Sequence, residues 1–177
     1  EARIVHLNDV LRAIRNVNQI SAREKDSARL LRGICQSLCE TRYPHAWVAL
    51  LDTSQKLVSA AEAGLGDDFR PLREQLARGQ LCQCGKLALA TSGVVAVEAP
   101  HAQCGDCPLT EMHGQGKAMA TRLEHAGTVY GTMMAGVFSA TSLGVFSGYG
   151  FAEGNETMGD QVYVQLVGVL TGVVFTA

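Results

Sequence analysis

Residues 46–62 of the chain, AWVALLDTSQKLVSAAE, decide the class of fold. The run from Ala46 to Leu51 is short and wholly apolar, which is typical of a strand buried on both faces. A polar turn at residues 52–55 separates it from the segment Lys56 to Glu62, which is placed to pair with it. The sequence therefore predicts a β-hairpin here, and the neighbouring segments decide what covers it.

Two amphipathic helices are predicted before this hairpin, from Leu7 to Ile20 and from Ser27 to Thr41, because apolar residues recur there at helical spacing. Asp26 or Ser27 can cap the second helix. Both apolar stripes must be buried, so we expect the two helices to pack on the same face of one sheet.

A helical crossover and three more strands are predicted after the hairpin. The predicted elements are a helix containing Phe69, Leu72 and Leu76 that Asp67 or Asp68 can cap and Gly79 ends, a short helix from Lys86 to Ala90, a strand from Val94 to Val97, an irregular loop from Pro100 to Gly116, and strands from Ala118 to Leu123 and from Thr128 to Met134.

Composition and charge limit the possible functions. The chain has 177 residues, 47% of them hydrophobic, which is enough for one packed domain. A formal net charge of -2 leaves no basic surface excess for nucleic acid, which is not expected as a partner. The first residues, EARIVH, lack the pattern of a secretory signal. The six cysteines are therefore expected to be reduced thiols or metal ligands, in a protein of the cytosol.

The order of elements and three strings, ETRYPHAWVALLD, AAEAGLGDDF and RLEHAGTVYGTMMA, resemble GAF domains over roughly Leu11 to Ala135. In that family a central antiparallel sheet has helices packed on one face and a ligand pocket beneath loops on the other. The resemblance implies an α+β fold with N-terminal and C-terminal helices on one face, and a GAF-like domain over residues 1–135.

The same resemblance implies a function. GAF modules of bacterial signalling proteins, including two-component systems, bind small molecules and pass the signal to an output domain, such as a histidine kinase or a PAS-containing protein. A homodimer is expected from this likeness. No GxSxG, P-loop or HExxH motif occurs in the chain, so the sequence favours a binding and regulatory module over an enzyme, with no catalytic residues assigned.

The tail, residues 136–177, has a different character. Its strings GVFSATSLG, GFAEGNETMGDQ and VQLVGVLTGVVFTA resemble the last part of ammonium transporters. Three interpretations stay open: the tail packs on the domain as a strand and a helix, it is a fusion remnant, or the chain is a fragment of an ammonium transporter fusion. Arg122 is the last basic residue, and a spanning helix usually has basic flanks, so a membrane anchor is not expected.

Four cysteines carry the sharpest chemical signal. Cys82 and Cys84 form a CxC pair, and Cys104 and Cys107 form a CxxC pair on a second predicted loop. Four thiolates suit tetrahedral zinc or an iron–sulfur cluster, so one metal site is a candidate cofactor site. A thiol–disulfide response, or no chemical role, are the alternatives. Cys35 and Cys39, one helical turn apart, are expected to face the core as small apolar residues.

A small-molecule pocket is the other candidate site. It would lie between the sheet face carrying Trp47 and Ala49, the helix of Phe69, and the loop that ends at His113. Trp47 is the single tryptophan of the chain, and it serves either to stack on a ligand or to anchor the core. The identity of the ligand does not follow from the sequence.

Overall fold

The computed structural model describes residues 12, 15–20, 22–41, 43–113, 117–125 and 127–137. The strands are β1 (Ala46–Leu51), β2 (Leu57–Ala63), β3 (Val94–Val97), β4 (Lys117–His125) and β5 (Thr128–Val137). The helices are α1 (Ser27–Thr41), α2 (Phe69–Ala77), α3 (Gln83–Ala90) and α4 (Pro100–Gln103), with short 3-10 turns at Gly66–Asp68 and Glu111–His113 and further helical backbone at residues 15–20.

The five strands form one antiparallel sheet in the order β2-β1-β5-β4-β3. The predicted hairpin is β1 and β2, and its turn is fixed by Asp52, whose Oδ1 accepts hydrogen bonds from the N–H groups of Ser54 and Lys56 at 2.8 and 2.9 Å. Because β2 and β3 lie at opposite edges, the chain between them must cross the sheet, and α2 and α3 lie within that crossover. The α+β fold with a central antiparallel sheet is confirmed.

One face of the sheet is covered by α1 and the helical residues 15–20. The Asp26 carboxylate caps α1, since its Oδ1 accepts a hydrogen bond from the Arg29 N–H at 2.8 Å. The core of this face, called the helix-face core below, takes residues from both helical segments, so their predicted packing on one face holds for the described residues. Its buried members are Val17, Leu30, Leu31, Ile34, Cys35, Leu38, Ala46, Val48, Leu50, Ala61, Met119, Leu123, Met133 and Ala135.

Cys35 and Cys39 lie on the inner side of α1 and reach the edge strand β2. The Cys35 thiol is fully buried and donates to the Ala61 carbonyl at 3.8 Å, and the half-buried Cys39 thiol donates to the Ala63 carbonyl at 3.3 Å. Burial raises the pKa of Cys35 well above its ordinary value. These two cysteines are packing residues of the helix face.

The opposite face of the sheet is covered by α2, α3 and the loop around α4. Alternation along the strands directs Trp47 and Ala49 of β1 to this face, while Val48 points to the other. The core of this face is called the loop-face core. Its buried members are Trp47, Ala49, Leu51, Leu65, Phe69, Leu72, Leu76, Leu81, Cys82, Cys84, Ala88, Val97, Cys104, Cys107, Leu109, Ala118, Ala120 and Met134.

The structure differs from the sequence predictions mainly at the ends of elements. α3 begins at Gln83 and not at Lys86, because Cys82 takes the extended backbone of an N-cap and the helix starts directly after it. Asp68 occupies the N-cap position of α2 without a side-chain hydrogen bond to the helix, so neither acidic residue caps α2 as predicted. β5 runs to Val137, where it still pairs with Lys117 of β4.

The predicted C-terminal helix and the tail beyond Val137 lie outside the described residues, as does most of the predicted helix before residue 15. Within the part of the chain that the structure describes, no helix combines the length and apolar character needed to cross a membrane.

Candidate functional site

The first half of the four-cysteine cluster is built by the start of α3. Cys82 is the N-cap of this helix and its carbonyl accepts from the Lys86 N–H at 3.1 Å, so the first helical turn positions Cys84 one residue inside the helix. α3 packs against β4 and β5, which keeps its first turn over the sheet. Both thiols are buried completely, with no measurable exposure.

The second half comes from the loop after α4. This helix starts with Pro100, which is favourable at a first helical position. The Cys104 N–H donates a hydrogen bond to the Pro100 carbonyl at 2.7 Å, which closes the end of the helix. The Cys107 N–H donates to the Cys104 carbonyl at 2.9 Å, which closes the CxxC turn. The Thr110 hydroxyl lies 2.6 Å from both the Cys104 and the Cys107 carbonyl oxygens, which ties the turn together.

The fold brings these two pairs of thiols into one cluster. The Cys82 and Cys84 sulfurs are 3.2 Å apart. Cys82 is also in hydrogen-bonding contact with Cys107, and Cys84 with Cys104, so contacts run from Cys107 through Cys82 and Cys84 to Cys104. All four are free thiols, and Cys104 and Cys107 are only 3% and 4% exposed.

Hydrogen bonds between the thiols lower two of the four cysteine pKa values and raise the other two. Hydrogen bonds from the Cys107 and Cys84 thiols lower the pKa of Cys82 to about 3, and the hydrogen bond with Cys84 lowers that of Cys104. The pKa values of Cys84 and Cys107 are raised, chiefly because their thiols donate to Cys104 and Cys82 respectively. The cluster therefore favours negative sulfur at alternate positions, each held by a neighbouring thiol.

Backbone amides also point at the sulfurs. Cys82 receives a backbone hydrogen bond from Gly85, Cys104 from Cys84, and Cys107 from Leu109. Each of these contacts lowers the pKa of the thiol that receives it, because an N–H dipole stabilises negative sulfur. Three of the four sulfurs thus have a backbone N–H donor, although the pKa of Cys107 stays raised because its thiol donates to Cys82.

The residues proposed for a small-molecule pocket lie in the same core. Trp47 and Ala49 are completely buried, Phe69 is 5% exposed, and the rings of Trp47 and Phe69 are 6.3 Å apart. The Trp47 indole N–H is buried and has no hydrogen-bond partner among the described residues. His113 ends a 3-10 turn in the loop over this face, but its side chain lies outside the described residues. The structure therefore brings Trp47, Ala49 and Phe69 together as packed residues.

One surface feature was not predicted from the sequence. An open groove of about 450 Å³ lies between α1 and β2, lined by Arg32, Gln36, Cys39, Glu40, Glu62, Ala63 and Gly64. The Glu62 carboxylate in it accepts hydrogen bonds from the N–H groups of Leu65 and Gly66 at 3.0 and 3.2 Å, so Glu62 fixes the turn after β2.

Comparison with known structures identifies the architecture. The GAF domain of a phosphoenolpyruvate-protein phosphotransferase from Coxiella burnetii matches with a TM-score of 0.66 at 16% identity, over 96% of this chain and 94% of that one. A GAF domain from A. aeolicus in an inactive state matches with a TM-score of 0.64 at 14% identity, over 99% and 98% of the two chains. This is a GAF fold.

The same GAF fold is found in an enzyme. The free methionine-R-sulfoxide reductase of Neisseria meningitidis, solved in complex with its substrate, matches with a TM-score of 0.61 at 16% identity, over 93% of this chain and 87% of that one. No model of a known protein family and no curated protein matches the sequence. The comparisons give no support to the ammonium-transporter resemblance of residues 131–177.

Within this GAF fold, the two candidate sites of the sequence analysis fall in one core. The metal candidates Cys82, Cys84, Cys104 and Cys107 and the pocket residues Trp47, Ala49 and Phe69 all belong to the loop-face core. The sequence analysis did not predict the N-cap position of Cys82 or the three backbone donors to sulfur. An N-cap assignment at Cys82 would have signalled the first of these, since a cysteine at a helix N-terminus is a recognised place for a thiolate.

Proposed function

We propose that the chain is a sensory and regulatory module that responds at the four-cysteine cluster. The observation that carries the proposal is the convergence of four free, buried thiols from two separate segments into one cluster in the loop-face core. A sensor of this kind responds to a thiophilic metal ion or to an oxidant, because both act on closely spaced thiols. The role is one of binding and regulation rather than turnover.

The sheet provides a path from the cluster to the helix face. α3, which carries Cys84, packs on β4 and β5. On β4, Ala118 and Ala120 face the cluster side, while Met119 between them belongs to the helix-face core with α1. A displacement of α3 therefore acts on strands whose opposite side chains belong to the same core as α1.

In this proposal, α1 and the helical segment before it connect the module to its partners. The expected partners are a second copy of the chain, in a homodimer formed through the N-terminal helix, and an output domain such as a histidine kinase or a PAS-containing protein. The cytosol is the compartment in which four free thiols would persist.

Hydrogen–deuterium exchange on the full reduced chain tests this function. Zn²⁺ and hydrogen peroxide are added separately as probes, and exchange is followed in residues 15–41 and in the hairpin, residues 46–63. We expect either probe to change exchange in residues 15–41 by more than in the hairpin. A general stabilisation of the fold would slow exchange in both segments, so the difference between them reports the specific response. The Cys84→Ser variant should lose the response, and Cys35→Ser, the same change in the other core, should keep it. A response confined to residues 82–110 would contradict a sensory role.

A small-molecule sensor is the second candidate, and the unpartnered indole N–H of Trp47 favours it. A buried donor without an acceptor costs about 1–3 kcal/mol, and a ligand with an acceptor atom would recover part of this. Native mass spectrometry of the purified chain should then detect a bound small molecule that Trp47→Phe loses, with Tyr130→Phe as an aromatic control. Equal occupancy in both variants would remove Trp47 from the site.

A further inference from the structure

The four cysteine sulfurs are arranged as ligands of one centre and not as two separate pairs. Each segment contributes two sulfurs, and the contacts that join the segments, Cys82 with Cys107 and Cys84 with Cys104, cross from α3 to the loop after α4. Two independent dithiols would give contacts within each pair only. The crossing contacts mean that all four sulfurs surround the same small region of the loop-face core.

The backbone around the sulfurs matches the chemistry of bound thiolate. The N–H groups of Gly85, Cys84 and Leu109 are directed at the sulfurs of Cys82, Cys104 and Cys107. Structural disulfides and buried neutral thiols have little need of such donors, whereas a thiolate that keeps its charge after ligation is stabilised by them. The backbone thus supplies N–H donors to three of the four sulfurs, as a metal-bound thiolate would use.

A metal cation is the ligand that suits four buried sulfurs from two segments. All four cysteines are free thiols and are at most 4% exposed. Thiophilic cations bind sulfur directly, and four thiolates complete the tetrahedral coordination of one such ion.

We propose that Cys82, Cys84, Cys104 and Cys107 bind one tetrahedral, thiophilic divalent metal ion of the zinc class. An iron–sulfur cluster fits less well, because it places iron and sulfide atoms between its cysteine ligands, and here the sulfurs touch one another. The inference deepens the proposed function, since it names the ligand of the same site.

Metal entry requires a small expansion of the cluster. Two sulfurs bound to one tetrahedral zinc with bonds of about 2.3 Å lie about 3.8 Å apart. The Cys82 and Cys84 sulfurs are 3.2 Å apart, and no group of three or more His, Cys, Asp or Glu side chains in the described residues is arranged to hold a metal ion as it stands. Each contact has a proton between two sulfurs, and loss of these protons with rotation of the side chains would provide the missing ~0.6 Å.

Cobalt(II) substitution tests the site in the full reduced chain. Co²⁺ bound by four thiolates absorbs strongly in the visible range, and Zn²⁺ displaces it, so spectrum and stoichiometry are read in one titration. We expect one Co²⁺ per chain with a four-thiolate spectrum and displacement by one equivalent of Zn²⁺. Cys84→Ser and Cys104→Ser should each weaken Co²⁺ binding at least tenfold. Cys35→Ser, which makes the same change in the helix-face core, should leave both the spectrum and the stoichiometry unchanged.

Alkylation of the wild-type chain makes the test independent of whether the variants fold. With Zn²⁺ present, Cys82, Cys84, Cys104 and Cys107 should be protected from iodoacetamide, and the chelator EDTA should expose all four together, with Cys35 and Cys39 unaffected. Protection of only one pair, a weak spectrum without thiolate character, or no binding would overturn the proposal. A disulfide between Cys82 and Cys107, formed under peroxide in a chain that binds no metal, would overturn it in favour of a redox site.

The two proposals can fail separately. One bound Zn²⁺ per chain with no change in hydrogen exchange at residues 15–41 would leave the metal site standing and refute the sensory role. A peroxide response at residues 15–41 without any metal binding would support the sensory role and refute the metal site.

Discussion

The two cores of the molecule lie on opposite faces of one sheet and differ in the elements and residue types that form them. In the helix-face core, side chains of two amphipathic helical segments pack on strand residues, and Leu31, Ile34 and Leu38 of α1 are fully buried. The loop-face core is enclosed by short elements, and it holds four thiols in contact and a tryptophan whose N–H lacks a partner among the described residues. The four thiols in contact and the indole N–H of Trp47 are thus on the same side of the sheet.

This difference indicates that the helix-face core stabilises the fold and that the loop-face core is available for function. Long amphipathic elements bury apolar area efficiently, at about 25 cal/mol per Å². Reactive or unpartnered polar groups reduce the stabilisation that comes from this burial. Their presence in a core therefore favours a role in ligand binding or regulation at that place.

The largest effect is expected from Ile34→Ala in the helix-face core. Ile34 is fully buried, and removal of such a side chain costs about 2–5 kcal/mol of unfolding free energy. Urea unfolding of the reduced protein should show this loss whether or not Zn²⁺ is present, because Ile34 belongs to the core without the cluster.

Two further variants serve as a control at an exposed position and as a comparison in the other core. Val58→Ala, at a position 66% exposed, should change the unfolding free energy by less than about 0.5 kcal/mol. Cys84→Ala, in the loop-face core, should lower the unfolding free energy by more with Zn²⁺ than without. Bound Zn²⁺ stabilises the folded wild type, and the variant lacks this stabilisation. If Ile34→Ala removed the stabilisation by Zn²⁺ as completely as Cys84→Ala, the two cores would not be distinct.

A smaller effect is expected from pH, through His45. This side chain is 4% exposed, and burial lowers the pKa of the imidazole below its ordinary value of 6.5. The unfolded chain therefore binds the proton more readily than the folded one, and stability that is complete above pH 6.5 is lost as the pH falls from 6.5 towards the folded pKa. One such group changes the unfolding free energy by at most about 1.4 kcal/mol per pH unit.

Urea unfolding of the metal-free reduced chain at pH 7.5, 6.5 and 5.5 measures this dependence, and His45→Gln is the control because glutamine does not titrate. Alternation along β1 places His45 on the same side as Trp47, so the result also reports which face is sensitive to acid. Identical pH profiles for the two proteins would show that His45 makes no contribution.

The smallest effects are expected from a pair of helical glycines, one on each face. A Cβ at Gly85 in α3 would meet ordinary contacts, the nearest being Leu81 Cδ2 at 3.4 Å, so Gly85→Ala should stabilise by up to about 1 kcal/mol. A Cβ at Gly33 in α1 would lie 3.2 Å from Ile20 Cγ2, and crowding should offset much of the same gain. Thermal unfolding of the two variants should rank Gly85→Ala above Gly33→Ala. The reverse order would mean that the loop face is the more tightly packed.

The candidate site could be predicted in part from residue types. The CxC and CxxC spacings indicated two close pairs of soft ligands and made one joint site a candidate, since the spacing within each pair is a local property of sequence. The start of α3 at Gln83 was missed because a cysteine is an uncommon N-cap, and its extended backbone depends on the contacts of Cys82 in the loop-face core.

Local sequence patterns were sufficient to predict the individual elements of this protein. Apolar periodicity set α1, the uniformly apolar run set β1 at Ala46–Leu51, and Asp26 marked the cap of α1, because each signal depends on residues within a few positions of one another. Only the tertiary structure decided that β1 lies between β2 and β5, that the crossover brings residue 82 beside residue 107, and that Trp47 shares a core with the thiols. These features depend on contacts between residues far apart in the chain, which no local pattern contains.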